Sequence, residues 1–366
     1  MQIGFLIEKL YTTYKRQGIP GIFTKSIRRL NSAHQRFFIN KRSNKKKWKQ
    51  LQNKYLGQRV FLIGNGPSLN KTPLYLLRDE YTMCFNRFSL LVERINWSPT
   101  FFTTTDNLVL NDLVTELESI IPTTTYSFFP DIHFRGDRFI DKIAYNEKVL
   151  WLHQLFGKGF STKLPKIFPG GSVIYEGFQI LNYLGFKEII VLGVDMNFQL
   201  HKTAKYLDSK SVDIVSEEND DPNHFDPRYF GKNRKYHQPE DFVVQSIIDN
   251  LDYLGQHMEN FGLRIVNAGF DSKITSFPKG GFDSLFSFND DEKEKLFSVL
   301  LLKDTGFNTI DQFEKEAEFF DVRNVSDYPK GNFYTATEQG LGLIKKAIFT
   351  HIPLGPYQNK YYFKKR

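Results

Sequence analysis

The chain of 366 residues has a single cysteine, Cys84, so no internal disulfide can form and a reducing compartment is the default expectation. It has no Cys-x-x-Cys pair and no Cys/His cluster at zinc-finger spacing, which removes the small structural zinc modules. Its apolar runs, such as Ile189–Gly193 with its flanks, fall far short of the roughly 20 residues that span a bilayer. Met1–Leu10 lacks the charged n-region and small-residue cleavage site of a signal peptide. By elimination the expected location is cytoplasmic.

Acidic residues are nearly missing from the first 60 positions, where Glu8 stands against 15 Lys+Arg. The whole chain has 49 basic and 41 acidic residues, a formal net charge of +8, so the remainder after residue 60 is mildly acidic. A main domain that grips nucleic acid would need a basic footprint, and none is expected as a partner. Within the basic segment, Ile3, Leu6, Leu10 and Tyr14 recur at helical spacing beside Lys9, Lys15 and Arg16. The run Lys41-Arg42-Ser43-Asn44-Lys45-Lys46-Lys47-Trp48-Lys49 follows. Two readings fit residues 1–50 equally: a basic amphipathic surface on the anionic inner face of a membrane, or a solvated helical extension packed on the main domain.

Hydrophobic residues at 40% and charged residues at 25% are ordinary globular usage, so a packed core is expected. After Gly57, short apolar runs alternate with helical patterns. Strands are expected at Arg59–Ile63, Thr82–Phe85, Pro99–Thr105, Thr123–Phe129, Lys148–Leu152, Glu188–Val194 and Leu263–Ala268. Helices are expected at Asn107–Ile120, Gly171–Leu184 and Phe242–Phe261, and a long polar loop from Asp195 to Tyr236. This alternation predicts an α/β fold with a mostly parallel sheet covered by helices on both faces. The layout is a basic helical extension (1–56), an α/β nucleotide-binding domain (57–288) and a small helical subdomain (289–366).

The string Val60-Phe61-Leu62-Ile63-Gly64-Asn65-Gly66-Pro67-Ser68-Leu69 puts a glycine turn between a strand and a helix start, an arrangement that turns backbone N–H groups toward an anion, usually a phosphate. It is not a Walker A loop, because the Gly-Lys-Ser/Thr element is absent, and Leu69 occupies the third glycine position of a dinucleotide fingerprint. A tight turn without a ligand is the competing reading. Asp195 ends the strongest strand, where ligands bind in open α/β sheets; it either orients a ribose or acceptor, or caps the following turn. The loop residues Asp220, Asp221, His224 and Asp226 are weak candidates for a divalent ion, and a solvated acidic loop is the simpler state.

Gly64-Asn65-Gly66-Pro67-Ser68-Leu69 followed by Cys84-Phe85-Asn86-Arg87-Phe88 resembles the start of bacterial sialyltransferases of glycosyltransferase family 42, and equally the broader family related to the archaeal 6-hydroxymethylpterin diphosphokinase. The resemblance continues at Pro169-Gly170-Gly171-Ser172-Val173, Leu192-Gly193-Val194-Asp195, Asn223-His224-Phe225, Tyr229-Phe230-Gly231, His237 and Val266-Asn267-Ala268-Gly269. It implies a Rossmann-like, sialyltransferase-type fold and an inverting transfer of an acidic sugar from a cytidine-monophosphate donor to a glycan or lipid-linked glycan in surface polysaccharide synthesis. No metal or other cofactor is required in that reaction.

By the same resemblance Asn65, Gly66, Ser68 and Asn86 hold the nucleotide, and Asp106 stands where the family has an asparagine near the donor. Gly171 and Ser172 approach its sugar or phosphate, and His237 is the general base. The family's tyrosines that assist the leaving phosphate have no counterpart in register after Asp195. Tyr206 and Tyr236 are the nearby candidates. The diphosphokinase relatives imply instead a Mg²⁺-dependent diphosphate transfer from ATP to a hydroxymethyl acceptor. A non-catalytic nucleotide- or glycan-binding protein is the third reading.

Overall fold

The computed structural model describes residues 42–285, with short breaks at 73, 93–94, 96, 208–212, 238 and 271, together with 11, 14–15, 18–20, 317–319, 334–337 and 360–365. Most of the segment read as membrane-facing, residues 1–41, thus lies outside the described residues. Among those described, no helix is long and apolar enough to cross a membrane.

The strands in chain order are β1 (Arg59–Ile63), β2 (Thr82–Phe85), β3 (Phe101–Thr103), β4 (Tyr126–Pro130), β5 (Val149–Gln154), β6 (Lys166–Ile167), β7 (Glu188–Leu192), β8 (Ala204–Tyr206), β9 (Asp213–Ser216), β10 (Lys235–His237) and β11 (Arg264–Asn267). Eight of them form one sheet in the order β11-β7-β1-β2-β3-β4-β5-β6, every pairing parallel. Strands such as Val60-Phe61-Leu62-Ile63 and Ile189-Ile190-Val191-Leu192 are buried on both sides, as a covered parallel sheet requires.

One face, with Leu62, Phe85, Phe101, Phe128 and Val191, packs under the helices Arg42–Leu51, Val173–Leu184 and Asp241–His257. The other face, with Phe102, Phe129 and Val149, packs under Asn107–Leu113, Leu117–Thr123 and Phe139–Lys142. The α/β expectation with helices on both faces holds.

From β1 the chain lays down β2 through β6 on one side, then returns to place β7 and β11 on the other. The crevice between the carboxyl ends of β1 and β7 is the point where strand order reverses, the usual ligand position in open α/β sheets.

Two elements differ from the sequence reading, and the helix Arg42–Leu51 follows the packed one of the two readings of residues 1–50. Its Trp48 is 1% exposed, stacks on Phe128 at 5.3 Å and donates from Nε1 to the Trp151 carbonyl, while Asn44 makes two hydrogen bonds to the Trp151 backbone. The 195–236 stretch is not an unstructured loop. It contains the antiparallel sheet β10-β9-β8, set by the alternating burial of Asp213-Ile214-Val215-Ser216. In the segment expected to be helical, the described residues form three antiparallel strands, Ala317–Phe319, Tyr334–Thr337 and Lys360–Lys365. The run Lys360-Tyr361-Tyr362-Phe363 is rich in aromatic strand formers, which outweighed the helical signal around it.

Candidate functional site

At the switch point the β1 and β7 turns interlock. Gly64 N donates to the Leu192 carbonyl, Gly66 N to the Gly193 carbonyl at 2.7 Å, and Leu69 N to the Gly66 carbonyl. The Ser68 backbone N–H and hydroxyl both donate to Asp195, at 2.8 and 2.6 Å. A Cβ on Gly66 would lie 2.3 Å from Asp195 Oδ2, and one on Gly64 would lie 2.3 Å from the Gly193 carbonyl. These glycines exist so that two turns can touch. The N–H groups of Gly64, Gly66 and Ser68, expected to cradle a phosphate, are occupied by the neighbouring turn. Asp195 thus braces the β1 turn through Ser68, a contact outside both roles read from its sequence position.

Asn65 stands beside this brace and reaches the other way. Its Nδ2 donates to the Phe85 carbonyl at 3.1 Å and to the Tyr229 hydroxyl at 3.4 Å. Asn86, directly after β2, takes a left-handed conformation (φ +53°), which asparagine tolerates better than most residues. Tyr229 is pushed well above its ordinary range by burial, against the pull of hydrogen bonds from Asn86 and the Arg87 backbone. Asn65 and Asn86 therefore meet at one tyrosine, and each has a buried Oδ1 without a hydrogen-bond partner.

Tyr229 belongs to the insert between β7 and the Asp241–His257 helix, and this insert closes over the carboxyl edge of the sheet. Phe225 N donates to the Asn65 carbonyl, and Asn70 Nδ2 to the Phe225 carbonyl. Within the insert, Asp221 accepts from His224 Nδ1 at 2.8 Å and from the N–H groups of Asn223 and Phe230. Burial alone would raise Asp221, but the bonds from His201 and His224 together outweigh it and hold the carboxylate well below its ordinary value. The His224 ring lies flat on Tyr229 at 3.6 Å, and His201 on Tyr236 at 4.3 Å.

Asp226 is committed to Arg228 through both oxygens, while Asp220 accepts from Thr203 through Oδ2 and keeps a buried Oδ1 without a hydrogen-bond partner. Among the described residues no group of three or more His, Cys, Asp or Glu side chains is arranged to hold a metal ion. The acidic loop does not fit the divalent-ion reading, because its charges pin the insert together. Tyr236, held between His201 and Phe230, packs in the same way, and Tyr206 is 58% exposed on β8.

The second glycine turn is built differently. Gly170 and Gly171 have φ +59° and +83°. Ser172 caps the 12-residue helix Val173–Leu184, accepting from Ile174 N. Among the described residues the N–H groups of Gly170 and Gly171 meet no acceptor, and the helix behind them adds its dipole. Unlike those of Gly64 and Gly66, these N–H groups are not taken up by a neighbouring turn's backbone. One turn into the same helix lies Glu176, fully buried, accepting from Gln154 Nε2 at 3.0 Å. Burial lifts its carboxyl to about 8, against hydrogen bonds from Gln154 and Thr105. A lone acid in Val173-Ile174-Tyr175-Glu176-Gly177-Phe178 was a signal available in the sequence and not used.

His237 ends β10 opposite Asp213 of β9 in the antiparallel ladder. That register brings Asp213 Oδ1 to 3.0 Å from His237 Nδ1, while an Arg135 guanidinium nitrogen lies 3.4 Å from Nε2. A carboxylate on one nitrogen and a cation on the other favour the tautomer with the proton on Nδ1, and the Nε2 lone pair then accepts from Arg135. Arg135 follows β4, so His237 too stands on the carboxyl edge. Nearby, Arg87 is 2% exposed, donates to Asp112 at 2.6 Å, and keeps its Nε without an acceptor. Burial lowers Arg87 from its ordinary value, and Arg234, which also reaches Asp112, pushes the same way.

Of the residues singled out in the sequence, Asn65, Gly66, Ser68 and Asp195 form one group, and Asn86 joins it through Tyr229. Gly171 and Ser172 form a second, and His237 a third. Asp106 belongs to none. Its exposed carboxylate accepts from Leu108 N and Val109 N at 2.9 Å and caps the Asn107–Leu113 helix. An acid just before a helix start is a common cap, and both capping bonds fall on Oδ1. Asp213, Arg135 and Glu176 were not legible as site residues, because strand register and a helix-to-strand contact bring their partners together.

Residues 35–200 match a family model described as 6-hydroxymethylpterin diphosphokinase MptE-like. No curated protein matches the chain. Among solved structures, the MAf glycosyltransferase from Magnetospirillum magneticum AMB-1 is 16% identical with a TM-score of 0.37, over 65% of this chain and 38% of that one, so the chain spans well under half of that protein. The sialyltransferase CstII from Campylobacter jejuni, in complex with a substrate analogue, cytidine-5'-monophosphate, is 12% identical with a TM-score of 0.34, over 61% of this chain and 85% of that one. Across residues 35–200 the chain is similar to the MptE-like family, one of the two that its glycine-turn motifs resembled.

Proposed function

We propose that the protein is a glycosyltransferase that moves an acidic sugar from a cytidine-monophosphate donor to a hydroxyl of a glycan or lipid-linked glycan, with inversion and without a metal. The observation that carries this reading is the Asp213–His237–Arg135 arrangement on the carboxyl edge. Asp213 holds the imidazole with Nε2 as the basic atom; the acceptor hydroxyl takes the place of the Arg135 guanidinium there and gives Nε2 a proton as its oxygen attacks the anomeric carbon. The bond from that carbon to the phosphate oxygen breaks, and cytidine monophosphate leaves. A single leaving phosphate can be met by hydrogen-bond donors. Here those are the Gly170 and Gly171 N–H groups and the buried Arg87. Asn65 and Asn86, just past the ends of β1 and β2, would hold the nucleoside. The cytoplasm, at the inner face of the membrane, is the setting that suits a lipid-linked acceptor and the basic N-terminal stretch.

A second reading, diphosphate transfer from ATP to a hydroxymethylpterin-like acceptor, is favoured by the family description over residues 35–200. The test is a thermal-shift panel of CMP, CTP, CMP-activated acidic sugars, UMP, AMP and ATP, each with and without Mg²⁺. A ligand at 100 times its dissociation constant stabilises by about 2.7 kcal/mol. A shift with CMP that ignores Mg²⁺ is expected; a shift confined to Mg²⁺–ATP would overturn the transferase reading in favour of the second.

A further inference from the structure

Five buried oxygens without a hydrogen-bond donor line one edge of the sheet: Asn65 Oδ1, Asn86 Oδ1, Thr104 Oγ1, Asn107 Oδ1 and Glu176 Oε2. Their positions follow the strand ends. Asn65 lies two residues past β1, Asn86 one past β2, Thr104 one past β3, and Asn107 opens the helix after β3. Glu176 is tied to the same edge by Gln154, the last residue of β5, and by Thr105. The helix that carries it is pressed against the end of β2, where a Cβ on Gly177 would lie 2.7 Å from the Phe85 ring. Buried polar groups in native proteins are nearly always paired, so a row of unpaired ones at a strand-end crevice asks for a ligand.

The row holds three amide oxygens, a hydroxyl and a carboxyl and no cation, so it suits the uncharged part of a nucleotide rather than its phosphate. Thr104 and Glu176 are nearly sealed, at 0% and 2% exposure. Burial lifts the Glu176 carboxyl to about 8, so at neutral pH it is an uncharged acid. Because Oε1 already accepts from Gln154 Nε2, the proton lies on Oε2, and the uncharged acid presents a hydroxyl donor at Oε2 beside a carbonyl acceptor at Oε1, in that fixed order. That is the complement of a base edge with a bare ring nitrogen beside an amino group, as in cytosine or adenine. Uracil and hypoxanthine present an N–H beside a carbonyl oxygen there instead. We propose that Glu176 reads the base of the bound nucleotide and selects the amino-bearing member of each pair, while the Asn65, Asn86, Thr104 and Asn107 oxygens take hydroxyl donors of its sugars. This rests on the reading of the edge as a nucleotide site, and holds for cytidine or adenosine ligands alike.

The test measures dissociation constants of CMP, UMP, AMP and IMP by calorimetry for the full chain and for the E176Q and E176M variants, with thermal unfolding as the check on folding. In the unmodified protein, whichever pair binds should favour its amino member by about tenfold or more. E176Q keeps a donor beside an acceptor and should keep the preference; E176M should bring the ratio near one. A ratio near one in the unmodified protein, a lost preference in E176Q, or a preserved one in E176M removes Glu176 as the reader and leaves the nucleotide site standing. Binding of none of the four overturns both.

Discussion

Ser68 and Asp195 join the two turns of the switch point: the Ser68 backbone N–H and hydroxyl donate to opposite carboxylate oxygens, 2.8 and 2.6 Å away. Both residues are buried, at 2% and 7% exposure. The contact therefore acts on the folded state, holding the β1 and β7 turns in register.

Asp195→Ala should destabilise the protein by about 2–4 kcal/mol, because it strands the Ser68 donors in a buried place. Urea unfolding followed by fluorescence reads this as a lower midpoint with an unchanged slope. A loss below about 0.5 kcal/mol would remove the bracing role. Gly66→Ala should be comparably harmful, since its Cβ would lie 2.3 Å from Asp195 Oδ2.

Asp213→Asn should leave the fold and nucleotide affinity intact but lower turnover by roughly tenfold or more, because an amide no longer fixes the His237 tautomer. The readout is CMP release from a CMP-activated sugar across pH. Equal turnover in both proteins would show that Asp213 is a surface partner only.

Glu176 gives a pH signature of its own. Its carboxyl is raised to about 8 in the folded protein, against about 4.3 in an unfolded chain. The penalty is absent below the unfolded value, grows as pH rises, and is complete above about 8. Between about pH 5 and 8 the unmodified protein should lose a few kcal/mol relative to Glu176→Gln. Parallel stability curves for the two proteins would contradict the buried, protonated state.

Asp106→Ala separates a cap from a ligand contact. Loss of the two bonds to Leu108 N and Val109 N should cost about 0.5–2 kcal/mol of stability. Nucleotide affinity should stay within twofold. A selective fall in affinity without a change in thermal midpoint would return Asp106 to the site.

The sheet was legible because its strands are short apolar runs bounded by glycine turns, and a parallel sheet buried on both faces writes itself that way. Gly64–Ser68 and Asp195 were visible as a turn and a strand end. What each would hold was not, because the Gly64, Gly66 and Ser68 N–H groups are occupied from another turn more than a hundred residues away. The insert has the sequence texture of a loop because its order comes from tertiary contacts: His224 on Tyr229, His201 beside Asp221, Phe225 on Asn65. The resemblance carried His237, but its partner Asp213 emerges only from the β9–β10 register. The described C-terminal strands show the reverse failure, a helical texture overridden by an aromatic run at Lys360–Lys365.

The most direct test of the central claim is CMP release from a set of CMP-activated acidic sugars, followed with and without EDTA for the unmodified protein and for His237→Ala. The account predicts release from one of the sugars, unaffected by EDTA and reduced by at least a hundredfold in His237→Ala while CMP affinity is kept. Release from none of them, together with AMP formation from Mg²⁺–ATP and a hydroxymethylpterin, would contradict it.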